Sequence, residues 1–277
     1  FRGRGAMPCR RKIHIEQSGK LIFESKYKGT CQINVALEYK HLGTWSNEQC
    51  SMRQNISEGI AKAKSALRPL QQKVLGNPKF KMRTRSELTT GLILSRMTFN
   101  AHIWHRLSKG EHNLAETGVM DIYRRVTGQV TTSFKEEHFG NEQVLVTLHA
   151  MSASELFRMA RLRYFKRLIT HGPNELWALL KTEHAWPGSW LSMVHQDMRW
   201  MKQLLPDELP AEDPEDGASI WSALVESCKS WKAKVRRAAE IHKMYRRNRV
   251  QVQDWRNAFW ARMGSAGLRK LPDKQVE

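Results

Sequence analysis

Ile56, Ile60, Ala63, Leu67, Leu70 and Val74 recur at steps of four and three, the spacing that lines one face of an α-helix. Such a stripe is stable only when its apolar face is covered, so a chain carrying it must supply partner surfaces. Ser46-Asn47-Glu48-Gln49 precedes the stripe and fits a capping box, with Ser46 as N-cap and Gln49 reaching back. This predicts a helix over about 47–75, kinked at Pro69 and ended by Gly76-Asn77-Pro78. Upstream, Ile33, Val35, Leu37 and Tyr39 alternate with Gln32, Asn34, Ala36 and Glu38, the period of a half-buried strand. It runs into Leu42-Gly43, where glycine permits a sharp turn or a close backbone approach. Lys12 to Glu16 and Lys20 to Glu24 read as two short strands joined at Gln17-Ser18-Gly19, after a basic, glycine-containing lead-in at 1–11.

Beyond residue 47 the patterns are helical almost throughout. Thr84-Arg85-Ser86-Glu87 fits a capping box opening a helix through Leu88, Leu92, Met97 and Trp104, which Gly110 is expected to break. A third helix carries Leu114, Met120, Tyr123 and Val126 up to Gly128, and Asn141 to His149 is a short one. Ser152-Ala153-Ser154-Glu155 caps a helix that stops at His171-Gly172-Pro173, with shorter helices at about 174–182 and 188–205. Pro206 to Gly217 holds Asp207, Glu208, Glu212, Asp213, Glu215 and Asp216 among three prolines and reads as an extended acidic linker. The last unit, over 218–262, is expected to be a long helix with Leu224, Trp231, Val235 and Tyr245 on one face, followed by Trp255 and Phe259. The fold class expected is mainly α with a short N-terminal β-hairpin.

Charge narrows the function. Lys and Arg number 46 against 27 Asp and Glu, a formal net charge of +19, and nucleic acid is the polyanion that best explains such an excess. A membrane surface would favour a basic anchor beside a long apolar segment. The longest apolar runs, such as Leu176-Trp177-Ala178-Leu179-Leu180, are far short of a span, so no membrane partner is expected. Four scattered cysteines without a C-x-x-C pair fit a reducing compartment, the nucleus or cytoplasm. A first residue of Phe1 reads as a piece of a longer protein.

No nucleophile elbow, Walker loop, dinucleotide glycine fingerprint, H-E-x-x-H or Asp-Asp pair occurs. His102 and His105 lie three apart, as on one helical face, and read as surface residues before metal ligands. Two basic clusters are more informative. Arg158, Arg161, Arg163, Lys166 and Arg167 are interleaved with Phe157, Tyr164 and Phe165. Lys229, Lys232, Lys234, Arg236, Arg237, Lys243, Arg246, Arg247 and Arg249 have Glu240 as the only acid among them. Such residues either contact phosphates, with aromatics stacking on unpaired bases, or form a solvated helix face over an aromatic core. For the first cluster both readings stay open; the one-sided charge of the second favours phosphate. Most of the ten tryptophans, Trp104, Trp177, Trp200 and Trp231 among them, are expected in the core.

Tyr39-Lys40-His41-Leu42-Gly43, followed by this helical pattern, resembles the reverse transcriptases of non-LTR retrotransposons just past their catalytic centre. There a Y-K-x-L-G turn forms the primer grip, and the thumb begins with a helix rich in Arg, Ala and Leu. Ser95-Arg96-Met97-Thr98-Phe99-Asn100-Ala101-His102-Ile103-Trp104 is similar to a second thumb helix, and Tyr123-Arg124-Arg125-Val126-Thr127-Gly128 to a closing R-R-I-x-G segment. The resemblance covers about residues 1–128; Arg161-Leu162-Arg163-Tyr164-Phe165 resembles a post-thumb extension.

The resemblance implies a palm remnant with a primer-grip-like hairpin (1–45), a thumb-like helical bundle (46–130) and a helical extension (131–205); composition and periodicity add the acidic linker (206–217) and a basic C-terminal helical segment (218–277). It implies a C-terminal fragment of an RNA-directed DNA polymerase that binds RNA and DNA as primer–template. The catalytic aspartates, their Mg ions, and the palm and fingers of the same polypeptide would lie upstream. Expected nucleic-acid contacts are Tyr39, Lys40, Leu42 and Gly43 at the hairpin and Lys62, Lys64 and Arg68 on the first helix. Arg161, Arg163, Arg236, Arg237, Arg246 and Arg247 complete the set from the two clusters. The alternatives are a stand-alone basic all-helical nucleic-acid-binding protein, a self-contained enzyme, for which no catalytic constellation is found, and a decayed element.

Overall fold

A computed structural model describes residues 20–25, 29–34, 38–41, 44–47, 50–75, 77, 79–127, 140–183, 188–209, 225–226 and 228–265. The protein is mainly helical, with short antiparallel pairs of strands ahead of the helices. It divides into two compact units, Phe1–Ile56 and Ser57–Glu277.

In the first unit β1 (Lys20–Ser25) pairs antiparallel with β2 (Gly29–Asn34), in a register running from Lys20 opposite Asn34 to Ser25 opposite Gly29. Gly29 takes φ +65°, a left-handed conformation that an L side chain would resist. The strand at 20–24 was expected to pair backwards with Lys12 to Glu16, which lie outside the described residues; among the described residues it pairs forwards with β2. The single strand expected over 32–39 is divided between β2 and a second hairpin. That hairpin consists of β3 (Glu38–His41) and β4 (Thr44–Asn47), with Tyr39 opposite Ser46, Lys40 opposite Trp45 and His41 opposite Thr44.

Ser46 therefore belongs to a strand and does not cap a helix. Asn47 orders the connection: its carbonyl accepts from the Cys50 N–H at 3.1 Å and its Oδ1 from the Ser51 N–H at 2.9 Å. Helix α1 (Arg53–Leu70) starts only after that turn, and Asn55 in its first turn reaches back to β4. The Asn55 Oδ1 accepts from the Trp45 N–H at 2.7 Å and its amide donates to the Trp45 carbonyl at 2.8 Å, so one side chain serves both backbone groups of Trp45. The expected stripe holds: Ile56, Ala63 and Leu67 are buried, with Ile60, Leu70 and Val74 half-buried. Pro69 lies inside the helix, which passes it and widens into a π-helical stretch at Gln71–Leu75. The missing proline N–H already breaks the regular ladder there.

In the second unit, α2 (Met82–Leu88) starts ahead of Thr84, so the expected capping box at 84–87 is not formed. Arg85 donates to the carbonyls of Phe80 (3.1 Å) and Asn77 (2.9 Å), tying the helix to the loop before it. A π-helical stretch (Thr89–Leu94) and a single α-turn (Ser95–Met97) follow. The chain then breaks at Asn100, φ +59°, rather than at Gly110. Gly110 is instead in the first turn of α3 (Lys109–Thr127). Ser108 and Glu111 cap this helix: the Ser108 N–H donates to Glu111 Oε2 at 2.8 Å, and the Glu111 N–H to Ser108 Oγ at 3.3 Å.

Next come α4 (Asn141–Thr147), α5 (Ala153–His171), α6 (Asn174–Glu183), α7 (Trp190–Leu204) and α8 (Trp231–Ser265). The box at Ser152 and Glu155 forms as read, with the Ser152 N–H donating to Glu155 Oε2 at 2.7 Å. Helix α5 is central, packing on α3, α7, α8 and the 3₁₀ turn at Ala101–Ile103. The core between α5, α7 and α8 is built from Leu162, Phe165, Val194, Met198, Met201, Trp231 and Val235. Trp231 also donates its indole N–H to the Leu162 carbonyl at 2.8 Å. Burying each such side chain contributes about 1.5–3 kcal/mol.

The acidic stretch begins as part of this core: Leu205 and Leu209 are buried, while residues 210–217 lie outside the described residues. Helix α8 starts at Trp231, later than expected, and its covered face runs through Trp231, Val235, Ala238, Ala239 and Arg246. Tyr245, expected on that face, is 59 % exposed. No described helix is long and apolar enough to cross a membrane.

Candidate nucleic-acid interface

The expected phosphate contacts fall into two physical groups once their partners are traced. Several are committed to internal carboxylates. Arg161 clasps Asp197 with Nε to Oδ2 at 2.8 Å and Nη2 to Oδ1 at 3.1 Å, while Arg158 Nε donates to Oδ1 at 2.9 Å. Asp197 is 1 % exposed, so two guanidiniums neutralise one buried acid. Arg158 also lies over the Trp200 ring, 4.8 Å from its centroid.

Arg246 is buried in the same manner. It donates to the Ala150 carbonyl at 2.9 Å and to Glu155, which His242 approaches from another side. Burial works to raise the Glu155 pKa, but hydrogen bonds from His242, Arg246 and the Ser152 N–H overcome it and hold the carboxyl at about 2. Arg161 and Arg246 are therefore structural cations, whatever their place in the basic clusters.

Other members are exposed but paired. Lys62 meets Glu58 at 2.9 Å, and Lys64 bridges from α1 to Asp121 on α3 at 2.7 Å. Burial tends to raise the Asp121 pKa; hydrogen bonds from Lys64 and Arg125 prevail and lower it. Arg237 pairs with Glu208. In the first unit Tyr39 is 58 % exposed on β3, and Lys40 lies over the Trp45 ring across the hairpin, 5.1 Å from its centroid. Leu42 and Gly43 lie outside the described residues.

A last group has no hydrogen bond or ion pair among the described residues: Arg68, Arg163, Arg236 and Arg247. Arg247 lies on the part of α8 where residues 247–249 and 251–258 are all exposed. At 35 residues this helix is about 50 Å long, and its second half presents Arg247, Arg249 and Arg256 beside exposed Val252 and Trp255. Arg163 and Arg236 face a cleft of about 530 Å³ between α2, α5 and α8, where His149 and Lys243 also stand. Burial and the like charge of Arg236 both lower the Arg163 pKa.

His102 and His105 do not share a helical face, because the 3₁₀ turn ends between them and Trp104 is extended. The His102 ring rests on Tyr164, 4.3 Å between centroids, and its pKa is lowered by burial and by Arg167. Among the described residues no three His, Cys, Asp or Glu side chains converge as a metal site.

Sequence reasoning did not assign the cleft. Its residues come from 83–91, 149–163 and 236–243, and no local pattern links those stretches. Comparison with protein-family models, curated proteins and solved structures found no match to this chain.

Proposed function

We propose that this chain binds nucleic acid as the C-terminal part of a retroelement RNA-directed DNA polymerase, gripping primer–template for a reaction centre carried elsewhere. The observation that supports nucleic-acid binding is the second half of α8, where cations and large apolar side chains stand together in solvent. Arg249 there pairs with Glu142 at 3.0 Å, whereas exposed guanidiniums such as that of Arg247 attract phosphates and release counterions, and an exposed indole such as that of Trp255 offers a face to an unpaired base. The polymerase assignment rests on the resemblance and is supported by the order of elements: a hairpin that exposes Tyr39, then the long helix α1. Lys40 and Arg68 would add phosphate contacts, and primer alignment is what such contacts contribute to catalysis.

A second reading, a stand-alone basic helical nucleic-acid-binding protein, is favoured by one fact. Among the described residues, the exposed cationic stretch of α8 around Arg247 lies outside residues 1–128 that carry the resemblance.

The test uses the purified chain with an RNA–DNA hybrid bearing a recessed 3′ end, titrated over salt. Affinity should fall linearly in log–log form, by a slope of about 0.9 for each phosphate neutralised, and no nucleotide should be incorporated. Tyr39→Ala should weaken binding to the recessed end more than to a blunt hybrid. Equal loss on both would favour the second reading, and salt-independent binding would refute both.

A further inference from the structure

We propose that the cleft between α2, α5 and α8 binds a phosphomonoester dianion attached to a group of nucleotide size, a reading that rests on the nucleic-acid assignment only for its physiological source. Most of the charges lining the cleft are paired. Arg83 is matched by Glu87 at 3.2 Å; Lys243 and His149 both engage Glu240, at 2.9 and 2.7 Å. That leaves Arg163 and Arg236, which among the described residues have no hydrogen bond or ion pair of their own. Two like charges from α5 and α8 line one cleft close enough to act on each other, an arrangement that costs free energy and is relieved by an anion.

The number of charges selects the anion. Two unpaired guanidiniums match a phosphomonoester, which carries about −1.5 to −2 near neutrality, better than the single charge of an internucleotide diester. Their planar forks suit phosphate oxygens, each able to donate two parallel hydrogen bonds. Apolar side chains line the cleft as well: Met159 and Ala239 are buried and Met151 is half-buried. Methionine adapts its shape to a flat ring, and about 530 Å³ is within the range that encloses a small ligand. The ligand class is then a terminal phosphate with a base or comparable ring behind it. The two sources are a free mononucleotide and the 5′-phosphorylated end of a strand.

The experiment uses the full chain. Anisotropy compares one single-stranded oligonucleotide carrying a 5′-phosphate with the same oligonucleotide carrying a 5′-hydroxyl, and calorimetry measures AMP and inorganic phosphate. A strand end predicts about tenfold tighter binding of the 5′-phosphate form, abolished by Arg163→Gln and separately by Arg236→Gln. Both substitutions should leave the melting temperature unchanged and lower the 5′-hydroxyl affinity far less than the 5′-phosphate affinity. Equal oligonucleotide affinities together with AMP binding that either substitution removes would assign the cleft to free nucleotide. AMP binding without any oligonucleotide binding would sustain the cleft and refute the nucleic-acid function. Equal oligonucleotide affinities with no heat from AMP or phosphate would overturn the proposal. So would a 5′-phosphate preference, or AMP binding, that persists in both variants.

Discussion

Arg246 on α8 donates into Glu155 at the start of α5, and their side chains are 5 % and 4 % exposed. The same carboxylate accepts from the Ser152 N–H and contacts His242, so one acid both caps α5 and anchors the middle of α8. From Arg247 to Ala258 the described side chains of α8 are exposed or half-exposed, so among the described residues the pair is the last buried ion pair along that helix.

Glu155→Gln should therefore cost about 3–5 kcal/mol in denaturant unfolding, because a buried guanidinium loses its counter-charge. The pH dependence has a definite sign. Glu155 titrates at about 2 in the folded chain against an ordinary 4.5, so its contribution is present above pH 4.5 and lost as pH falls toward 2. The loss amounts to about 3 kcal/mol, and Glu155→Gln should flatten that part of the acid limb.

Two arginines separate structure from binding. Arg161→Ala leaves Asp197 with Arg158 alone and should lower stability by about 2–4 kcal/mol, without changing the salt slope of nucleic-acid binding. Arg247→Ala should leave the melting temperature within a degree or two and reduce that slope by about one. The opposite pattern would show that the phosphate-binding face lies on α5.

Glycines in α1 and α3 make a second contrast. A Cβ on Gly59 would lie 3.0 Å from the Met97 carbonyl oxygen and 3.1 Å from its Cα, backbone that cannot retreat. Gly59→Ala should destabilise by about 1–3 kcal/mol. Gly110 has nothing within 4 Å of such a Cβ, so Gly110→Ala should gain up to about 1 kcal/mol from helix propensity. Thermal unfolding of the two variants should shift in opposite directions.

Ending the chain after Val250 removes, among the described side chains, only exposed ones, those of residues 251–258. The melting temperature should change by only a few degrees, while nucleic-acid affinity falls and its salt slope shrinks. An unchanged affinity would place the binding surface elsewhere.

Where the chain's local chemistry is complete within a few residues, it could be read directly. Ser152 and Glu155 satisfy each other three residues apart, and the boundaries of α4, α5 and α7 follow closely from such signals. Ser108 and Glu111 carried the same signal, but Gly110 between them reads as a break although it sits in a helix. The start of α1 was misread because Ser46 through Gln49 matches a cap equally well in either setting. Cross-strand pairing with Tyr39, supplied by β4, decides that Ser46 is in a strand.

The amino-acid order alone settles that this is a mainly helical, strongly basic chain, because helical periodicity, caps and charge are properties of neighbouring residues. It does not settle which cations are available to a partner. Arg161 and Arg163 are two residues apart on one helix, yet one is held by a buried acid 36 residues away and the other faces a cleft. Arg246 and Arg247 are adjacent, and only Arg246 finds a carboxylate, 91 residues back. Charge balance inside a core is set by which faces pack together, and packing joins stretches that no local pattern connects.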